Sequence, residues 1–296
     1  MEFEKGLKKY IAFLKYQKNL SPNTIDSYNR DLKHFLGHLK KRGKEELEEI
    51  ESSDLRKYIK FLDNFKYCNS TLIRKYSSYV NFLKFIEKNG YNNKNISQHI
   101  LRPKKSQRFF SFLSLDEAAR LMDSIKDERD SAIIELMYST GARISELAEI
   151  KMEDIDLENR QIKVTGKGNK QRMVFINNSA SDALERYISL RKDYLYSDRG
   201  YKKCRYLFLN KKGGKLSTRS ISSIVKKYAV GLSAGKKITP HSIRHSFASH
   251  MLQQGANIRE IQELLGHENI STTQIYTHLN IKKIKHDYNK YHPRAK

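Results

Sequence analysis

The stretch RQIKVTGKGNKQRMVFI, residues 160–176, decides the fold class of the second half of the chain. Apolar and polar residues alternate on both sides of a Gly-Lys-Gly-Asn turn, which predicts an antiparallel β-hairpin. A short apolar run at 206–210, YLFLN, is a candidate for one more strand. The neighbouring segments have helical spacing. We therefore predict a mixed α+β domain that is mostly helical and has a small antiparallel sheet.

Two helices upstream of the hairpin are predicted from their ends. Ser114 and Glu117 have the spacing of a capping box, which opens the first of them. The second covers about 130–139 and ends at Gly141, because glycine adopts the left-handed backbone angles that close many helices. The mixed domain therefore begins with helices.

The first hundred residues have the pattern of four amphipathic helices. Apolar residues recur every three to four positions, as on one face of a helix. Ser21 with Pro22, Ser53 and Ser70 mark helix starts, and Asn89–Gly90 marks the last helix end. We predict a small all-α domain of four helices.

The predicted organisation is thus mainly α, with two domains. The N-terminal helical domain covers 1–102, a polar and basic linker covers 103–110, and the second domain covers 111–296. The chain shows no signal-peptide pattern and no apolar run of membrane-spanning length, so we expect a cytoplasmic protein. The two cysteines, Cys68 and Cys204, form no metal or disulfide pattern.

The chain is strongly basic throughout, with a net charge of +24 and a pI near 9.8. Residues 1–105 carry 23 Lys and Arg against 12 Asp and Glu, and the remainder carries 34 against 21. Charge of this sign and spread favours a polyanionic partner and argues against a basic tail or a membrane-surface helix. We expect two domains that grip one nucleic acid from opposite sides.

Two local patterns upstream place cations where they would meet an anion. In TGARISELAEI, Gly141 lets the chain turn and Arg143 opens a helix, with Glu146 on the same face to hold the guanidinium. In GKGNK, Lys167 lies at the tip of the predicted hairpin, where a mobile lysine can reach into a groove and donate a proton. Each residue is also compatible with an ordinary solvated surface charge.

A third pattern, TPHSIRHSFASH, places His241 and Arg244 three residues apart on a helix that begins after Pro240. This spacing suits a phosphate, because arginine binds phosphate through two parallel hydrogen bonds and histidine adds another donor. His241 and His245 also have the spacing of a metal-binding pair, but the chain has no HExxH motif to support that interpretation.

The fourth pattern is GHENISTTQIYTHLN, residues 266–280. Gly266 caps a helix, His267 follows it, and Thr272 and Thr273 supply an N-cap ahead of Tyr276. A tyrosine at such spacing usually helps to fill a core. The residues upstream change that interpretation, because they offer the cations that one phosphate needs.

Taken together, the four patterns supply two arginines, a lysine and two histidines for one phosphate, and a tyrosine hydroxyl as nucleophile. In chain order the residues are Arg143, Lys167, His241, Arg244, His267 and Tyr276. The motifs TGARISEL, GKGNKQR, TPHSIRHSFASHML, ELLGHENISTTQIYTH and YHPRA make the sequence resemble the tyrosine recombinase (phage integrase) family, and its Xer subgroup most closely. The resemblance covers the second domain almost end to end and is weaker over residues 1–100.

The resemblance implies DNA strand exchange that needs no cofactor and no metal. Tyr276 would attack a backbone phosphate, leaving a 3′-phosphotyrosyl link and a free 5′-hydroxyl, so that one ester replaces another without ATP. Arg143 and Arg244 would flank the non-bridging oxygens and stabilise the charge of the transition state, as metal ions do in many nucleases.

The remaining matches imply proton transfer and support. Lys167 would protonate the leaving 5′-oxygen, His241 would act as acid or base near the tyrosine hydroxyl, and His267 would hydrogen-bond a phosphate oxygen. The division of roles between Lys167 and His241 stays open at this point. Glu146 matches a supporting acidic position.

The resemblance also implies a C-shaped clamp on double-stranded DNA that carries inverted half-sites. Its partners would be further copies of itself or a paralogous recombinase in a tetramer, and a septal DNA translocase as activator. The tail at about 280–296 would dock on a neighbouring protomer, although Ile281, Ile284 and Tyr288 also suit a helix packed on its own domain. Candidate DNA-backbone contacts are Arg30, Arg74, Lys75, Arg172 and Arg219, each of which is otherwise a solvated surface charge.

The resemblance to the Xer subgroup implies resolution of chromosome or plasmid dimers during cell division as the cellular role. An integrase or transposase of a mobile element shares the catalytic pattern, and a type IB topoisomerase uses a similar set of residues. A catalytically inert DNA-binding regulator would carry the same charge without the six reactive residues. Trapping a covalent protein–DNA adduct separates the last possibility from the others.

Overall fold

The computed structural model describes residues 1–65, 67–94, 96, 112–197, 200–201, 204–230, 238–266 and 278–294. The chain divides into two compact units, Met1–Arg108 and Phe109–Lys296. The predicted linker at 103–110 lies outside the described residues. None of the helices in the described ranges combines the length and the apolar character that a membrane span requires.

The first unit consists of helices around one apolar core. Their bounds are α1 Phe3–Tyr16, α2 Pro22–Lys40, α3 Ser52–Asp63 and α4 Asn69–Lys88. The predicted cap of α2 is confirmed, because Ser21 Oγ accepts a hydrogen bond from the Thr24 amide and Pro22 occupies the first helical position. Helices α3 and α4 each begin one residue before the predicted serine, and Glu51 caps α3.

The second unit is mixed, as predicted. Its helices are α5 Leu115–Asp123, α6 Glu128–Thr140, α7 Ile144–Glu149, α8 Asn178–Leu195, α9 Thr218–Ala229, α10 Pro240–Gln253, α11 Ile258–Leu265 and α12 His278–Tyr291. Its strands are β1 Ile155–Asp156, β2 Gln161–Thr165, β3 Gln171–Phe175, β4 Tyr196–Ser197 and β5 Gly200–Tyr201. The capping box of Ser114 and Glu117 opens α5.

The predicted hairpin forms from β2 and β3, which pair antiparallel from Gln161 opposite Phe175 to Thr165 opposite Gln171. Side chains alternate between the two faces of each strand, and Ile162, Val164 and Val174 point into the core. Strand β1 was not predicted, because two residues are too short to show a period. It pairs with β2 and completes a sheet of three strands in the order β1-β2-β3.

The apolar run at 206–210 does not form the additional strand, which corrects that expectation. It makes isolated bridges, Tyr206 to Lys151 and Leu209 to Lys215. A side chain takes two of its carbonyl groups, because Arg191 donates to the carbonyls of Tyr206 and Leu207. The run is apolar because it is buried in the core, with Leu207 and Leu209 fully covered.

Helix α6 lies at the centre of the second unit and is buried along its last nine residues, 132–140. Gly141 ends it in the left-handed region, at φ 58°. A Cβ at this position would lie 2.6 Å from Phe247 and 2.8 Å from Leu265, so close packing as well as backbone angle requires glycine. The chain leaving α6 is therefore held against α10 and α11.

Candidate active site

Arg143 lies at the N-cap of α7, directly after the Gly141 turn. Its backbone amide donates to Glu146 Oε2 at 2.8 Å, and its Nη1 donates to Glu146 Oε1 at 2.7 Å. Its Nη2 donates to the Gly266 carbonyl at 3.1 Å, and about a third of the side chain stays exposed. The proposed contact between Arg143 and Glu146 is thus present, and the guanidinium is held in one orientation with a face toward solvent.

Arg244 is the more deeply buried of the two candidate phosphate ligands. The Thr239 side chain caps α10, which begins at Pro240, and Arg244 follows one turn later with only 8% of its surface exposed. Its guanidinium donates to the Gly141 carbonyl and, at 2.7 Å, to the Leu265 carbonyl. Burial and the neighbouring charge of Arg143 lower the pKa of Arg244 to about 10, so it stays charged at neutral pH.

The sequence analysis treated Arg172 as a surface residue that could contact DNA, and its position in the structure corrects that interpretation. Its side chain is 7% exposed and forms two parallel hydrogen bonds with Glu146, at 3.0 and 2.8 Å. Arg172 lies on the inward face of β3, as does Val174. Because side chains alternate between the two faces of a strand, its position two residues before the apolar Val174 was the sequence signal that could have revealed its burial.

Glu146 is therefore the shared acceptor of two arginines. Burial alone would raise the pKa of its carboxyl group, but the hydrogen bonds and charges of Arg172 and Arg143 outweigh burial and lower that pKa below its usual range. The group is a carboxylate at neutral pH, and it offsets the positive charge that gathers around it.

Lys167 lies in the turn between β2 and β3, where Lys167–Asn169 forms one turn of 3-10 helix. Gly168 and Asn169 both have positive φ, and Gly166 donates to the Lys170 carbonyl at 2.8 Å to close the loop. The Lys167 side chain lies outside the described part of the structure. The backbone nevertheless puts Lys167 one residue after Gly166, which packs against Glu146.

His241 is exposed in the first turn of α10, three residues before Arg244. His245 lies one turn further on, and burial, His241 and Arg244 lower its pKa. Within the described ranges, no group of three or more His, Cys, Asp and Glu side chains is arranged to hold a metal ion. His267 and Tyr276 lie outside the described residues, although Gly266, which precedes His267, closes α11 in the left-handed region as predicted.

The other candidate DNA contacts divide into exposed and paired residues. Arg30 and Arg219 are exposed, as a backbone contact requires. Arg74 and Lys75 instead share Asp31, and Lys75 is only 6% exposed with its Nζ 3.1 Å from the carboxylate. For Lys75 the assumption of a solvated surface charge is wrong, because Asp31 holds it inside the first unit.

The C-terminal segment packs on its own unit from Tyr288 onward. The Tyr288 hydroxyl is 2.6 Å from Ser139 Oγ, and its ring stacks on His292. Arg294 forms an ion pair with the buried Glu135 at 3.0 Å. The apolar face predicted for this tail is thus covered within the chain where it is described, and docking on a neighbouring protomer stays a prediction.

We expect His292 to make the second unit less stable in acid. Burial, with the charges of Arg294 and His250, lowers the His292 pKa from 6.5 to about 4. The unfolded chain therefore binds an extra proton between those values, and stability falls as the pH drops through this window, by at most about 3 kcal/mol. Calorimetry across the window should show a weaker pH dependence for His292→Phe than for the wild type.

His286→Phe is the matched control for that measurement, because His286 is an exposed histidine of α12, the helix that ends one residue before His292. It should leave the pH dependence of unfolding at the wild-type value. An equal pH dependence in His292→Phe and the wild type would show that His292 is not buried in its neutral form.

Comparison with known proteins agrees with the predicted fold and family. The phage integrase family matches residues 111–283, and the phage integrase N-terminal SAM-like domain matches residues 7–90. Tyrosine recombinase XerC of Natranaerobius thermophilus is 39% identical over 292 residues, covering 97% of this chain and 98% of that protein. Tyrosine recombinase XerD of Oceanobacillus iheyensis is 36% identical over 297 residues, covering 99% of each.

Among solved structures, the Tn1549 transposon integrase in complex with transposon right end DNA is similar in fold, with a TM-score of 0.71 at 20% identity over 98% of this chain and 95% of that one. XerH site-specific recombinase bound to difH substrate has a TM-score of 0.65 at 22% identity over 95% and 82%. The family model covers more than half of the chain, and relatives of 36–39% identity match nearly its full length. The chain therefore belongs to the phage integrase family and is a tyrosine-type site-specific DNA recombinase.

Proposed function

We propose that this recombinase cuts and rejoins double-stranded DNA through a 3′-phosphotyrosyl intermediate on Tyr276, and that it resolves chromosome or plasmid dimers. The observation that carries the chemistry is the meeting of Arg143 and Arg244 at the C-terminal end of α11. Arg244 Nη2 lies 2.7 Å and Arg143 Nη1 lies 3.5 Å from the same Leu265 carbonyl oxygen.

Burial lowers the pKa of Arg244, and the like charge of Arg143 lowers it further, so holding the two guanidinium groups near one carbonyl is costly. An anion between the two guanidinium groups would offset that cost. The pentavalent transition state of phosphoryl transfer carries more negative charge than the ground-state phosphodiester. The pair therefore stabilises the transition state more than the bound substrate, which is the requirement for catalysis.

The proposed reaction conserves ester bonds. The Tyr276 oxygen attacks phosphorus and loses its proton, the P–O5′ bond breaks, and the 5′-oxygen receives a proton. We assign the second proton transfer to Lys167 and the first to His241, which is exposed beside Arg244. A phenol with a pKa near ~10 needs this help at neutral pH. The reverse attack by a 5′-hydroxyl of the exchange partner restores the duplex.

The cellular assignment rests on sequence identity of 36–39% with XerC and XerD proteins across almost the whole chain. By this assignment the enzyme acts on paired, inverted half-sites, in a tetramer of its own copies or with a paralogous recombinase, under a septal DNA translocase. Half-sites of roughly 11 bp, about one helical turn apart, would suit protomers bound side by side.

The test is covalent trapping on a nicked duplex, from which the short 5′-hydroxyl fragment diffuses away after cleavage. Digestion of the adduct should leave a nucleotide on the peptide that contains Tyr276, and excess EDTA should leave the yield of adduct unchanged. A 5′-linked adduct, attachment to another residue, or loss of cleavage in EDTA would contradict the proposal. DNA recovered from adducts in cells then identifies the natural site.

A further inference from the structure

Arg172 lies in the described part of the active-site region, and the proposed reaction gives it no role. It lies in β3 directly opposite Val164, with its guanidinium turned into the unit. Both terminal nitrogens donate to the Glu146 carboxylate, and Nε donates to the Leu264 carbonyl at 3.1 Å. These inward hydrogen bonds and its burial leave the group badly placed for a DNA phosphate.

The Glu146 carboxylate joins Arg172 to Arg143. Oε1 accepts from Nη1 of both arginines, at 3.0 and 2.7 Å. Oε2 accepts from Arg172 Nη2 and from the Arg143 backbone amide, each at 2.8 Å. These four hydrogen bonds use the full accepting capacity of a carboxylate. A rotation of Glu146 would therefore break its hydrogen bond to the Arg143 guanidinium, and the two hydrogen bonds from Arg172 oppose such a rotation.

Two glycines allow the chain to approach this cluster closely. A Cβ at Gly166 would lie 3.2 Å from Glu146 Oε1, and a Cβ at Gly266 would lie 3.2 Å from the Arg172 guanidinium. The next residues along the chain are Lys167 and His267. The Glu146–Arg172 pair thus lies at the point where the hairpin turn, the start of α7 and the end of α11 meet.

We propose that Arg172 is a positioning residue for DNA cleavage, which acts through Glu146 to hold the Arg143 guanidinium in the orientation that receives the scissile phosphate. This inference rests on the proposed role of Arg143. A buried ion pair contributes little net stability, because desolvation offsets most of the attraction, so stability alone is a weak reason for placing Arg172 there. Fixing the geometry of Arg143 is the function that its contacts support.

The test is Arg172→Lys, which keeps the charge but loses the planar fork of the guanidinium. We expect the single-turnover cleavage rate at saturating DNA to fall about 10²-fold, the loss typical of a misplaced catalytic group. The dissociation constant for DNA should stay near the wild-type value. Its salt dependence should also stay unchanged, whereas loss of a phosphate contact lowers the slope by about 0.9.

Two control variants separate positioning from other effects. Arg191→Lys alters another buried arginine of the same unit, which donates to the carbonyls of Cys204, Tyr206 and Leu207. It should cost stability without slowing cleavage. Arg219→Ala removes an exposed charge and tests whether the salt measurement detects a true phosphate contact.

A DNA substrate with a bridging 5′-sulfur identifies the route of action, because a thiolate leaves without a general acid. Lys167→Ala should regain most of its rate on this substrate, since Lys167 is the proposed acid. Arg172→Lys should not regain its rate, because its defect lies in Arg143 and the phosphate oxygens. Rescue of Arg172→Lys by sulfur would overturn the assigned route.

Gly166→Ala covers the case in which Arg172→Lys does not fold. Its backbone, at φ −96°, accepts alanine, and the new methyl group would push on Glu146 without changing any charge. It should also slow cleavage at unchanged DNA affinity. Wild-type cleavage rates in folded Arg172→Lys, or in Gly166→Ala, would overturn this inference alone. A wild-type enzyme that forms no adduct would overturn the proposed function as well.

Discussion

The variant Tyr276→Phe should form no covalent adduct on a nicked DNA substrate, with cleavage reduced by about 10⁴-fold or more, as when other enzymes lose their nucleophile. The substitution removes one oxygen atom, so no group is left at that position to form an ester with phosphorus. DNA affinity should change little, because basic side chains that meet the phosphate backbone supply most of it. Gel separation of adducts and a binding titration measure both quantities on the same protein.

Tyr291→Phe is the matched control for that experiment. Tyr291 is a partly exposed tyrosine near the end of α12, and the same single oxygen is removed there. It should form adducts at the wild-type rate. Adduct formation by Tyr276→Phe would show that another residue is the nucleophile, and the assignment of Tyr276 would then be wrong.

Arg244→Lys should lower the single-turnover cleavage rate by about 10²- to 10³-fold, the cost of removing one donor that stabilises a transition state. Lysine keeps the positive charge but cannot donate two parallel hydrogen bonds to phosphate. Unlike Tyr276→Phe, this variant should also unfold more easily. The carbonyls of Gly141 and Leu265 lose a buried donor, at a cost of about 1–3 kcal/mol each.

The exposed Arg259 on α11 provides the matched control, because Arg259→Lys makes the same substitution at the surface. It should leave both cleavage and stability unchanged. If Arg244→Lys only weakened DNA binding while the cleavage rate at saturating DNA stayed at the wild-type value, Arg244 would act on bound substrate and transition state alike. The proposed role in transition-state stabilisation would then fail.

The candidate residues of the proposed active site each belong to a short pattern with a chemical meaning, and several local features around them were predictable. Gly141, the caps of α2 and α10, and the hairpin turn all lie where short-range rules place them. The contact between Arg143 and Glu146 was likewise predictable, because residues three apart lie on one face of a helix. Such rules act over a few residues and need no knowledge of the rest of the chain.

The misplaced elements share a different physical cause. The run at 206–210 has the composition of a strand, but Arg191 donates to two of its carbonyls and its leucine side chains are buried in the core. Strand β1 exists because β2 offers an edge for pairing. Lys75 is buried because Asp31, which is 44 residues away in sequence, neutralises it. Each outcome depends on a partner that local pattern does not reveal.

Sequence alone was therefore sufficient for the fold class, several helix ends and the family, since these depend on periodicity, capping and short motifs, and it supplied the candidate reactive residues. The arrangement of those residues required the folded chain. Arg143, Arg172 and Arg244 lie far apart in sequence, yet all three donate to the carbonyls at 264–266. Tertiary packing also decided that Arg172 is buried as the partner of Glu146 and is not a surface charge. The physical reason is that a buried carboxylate is stable only when hydrogen bonds and opposite charge compensate its loss of water.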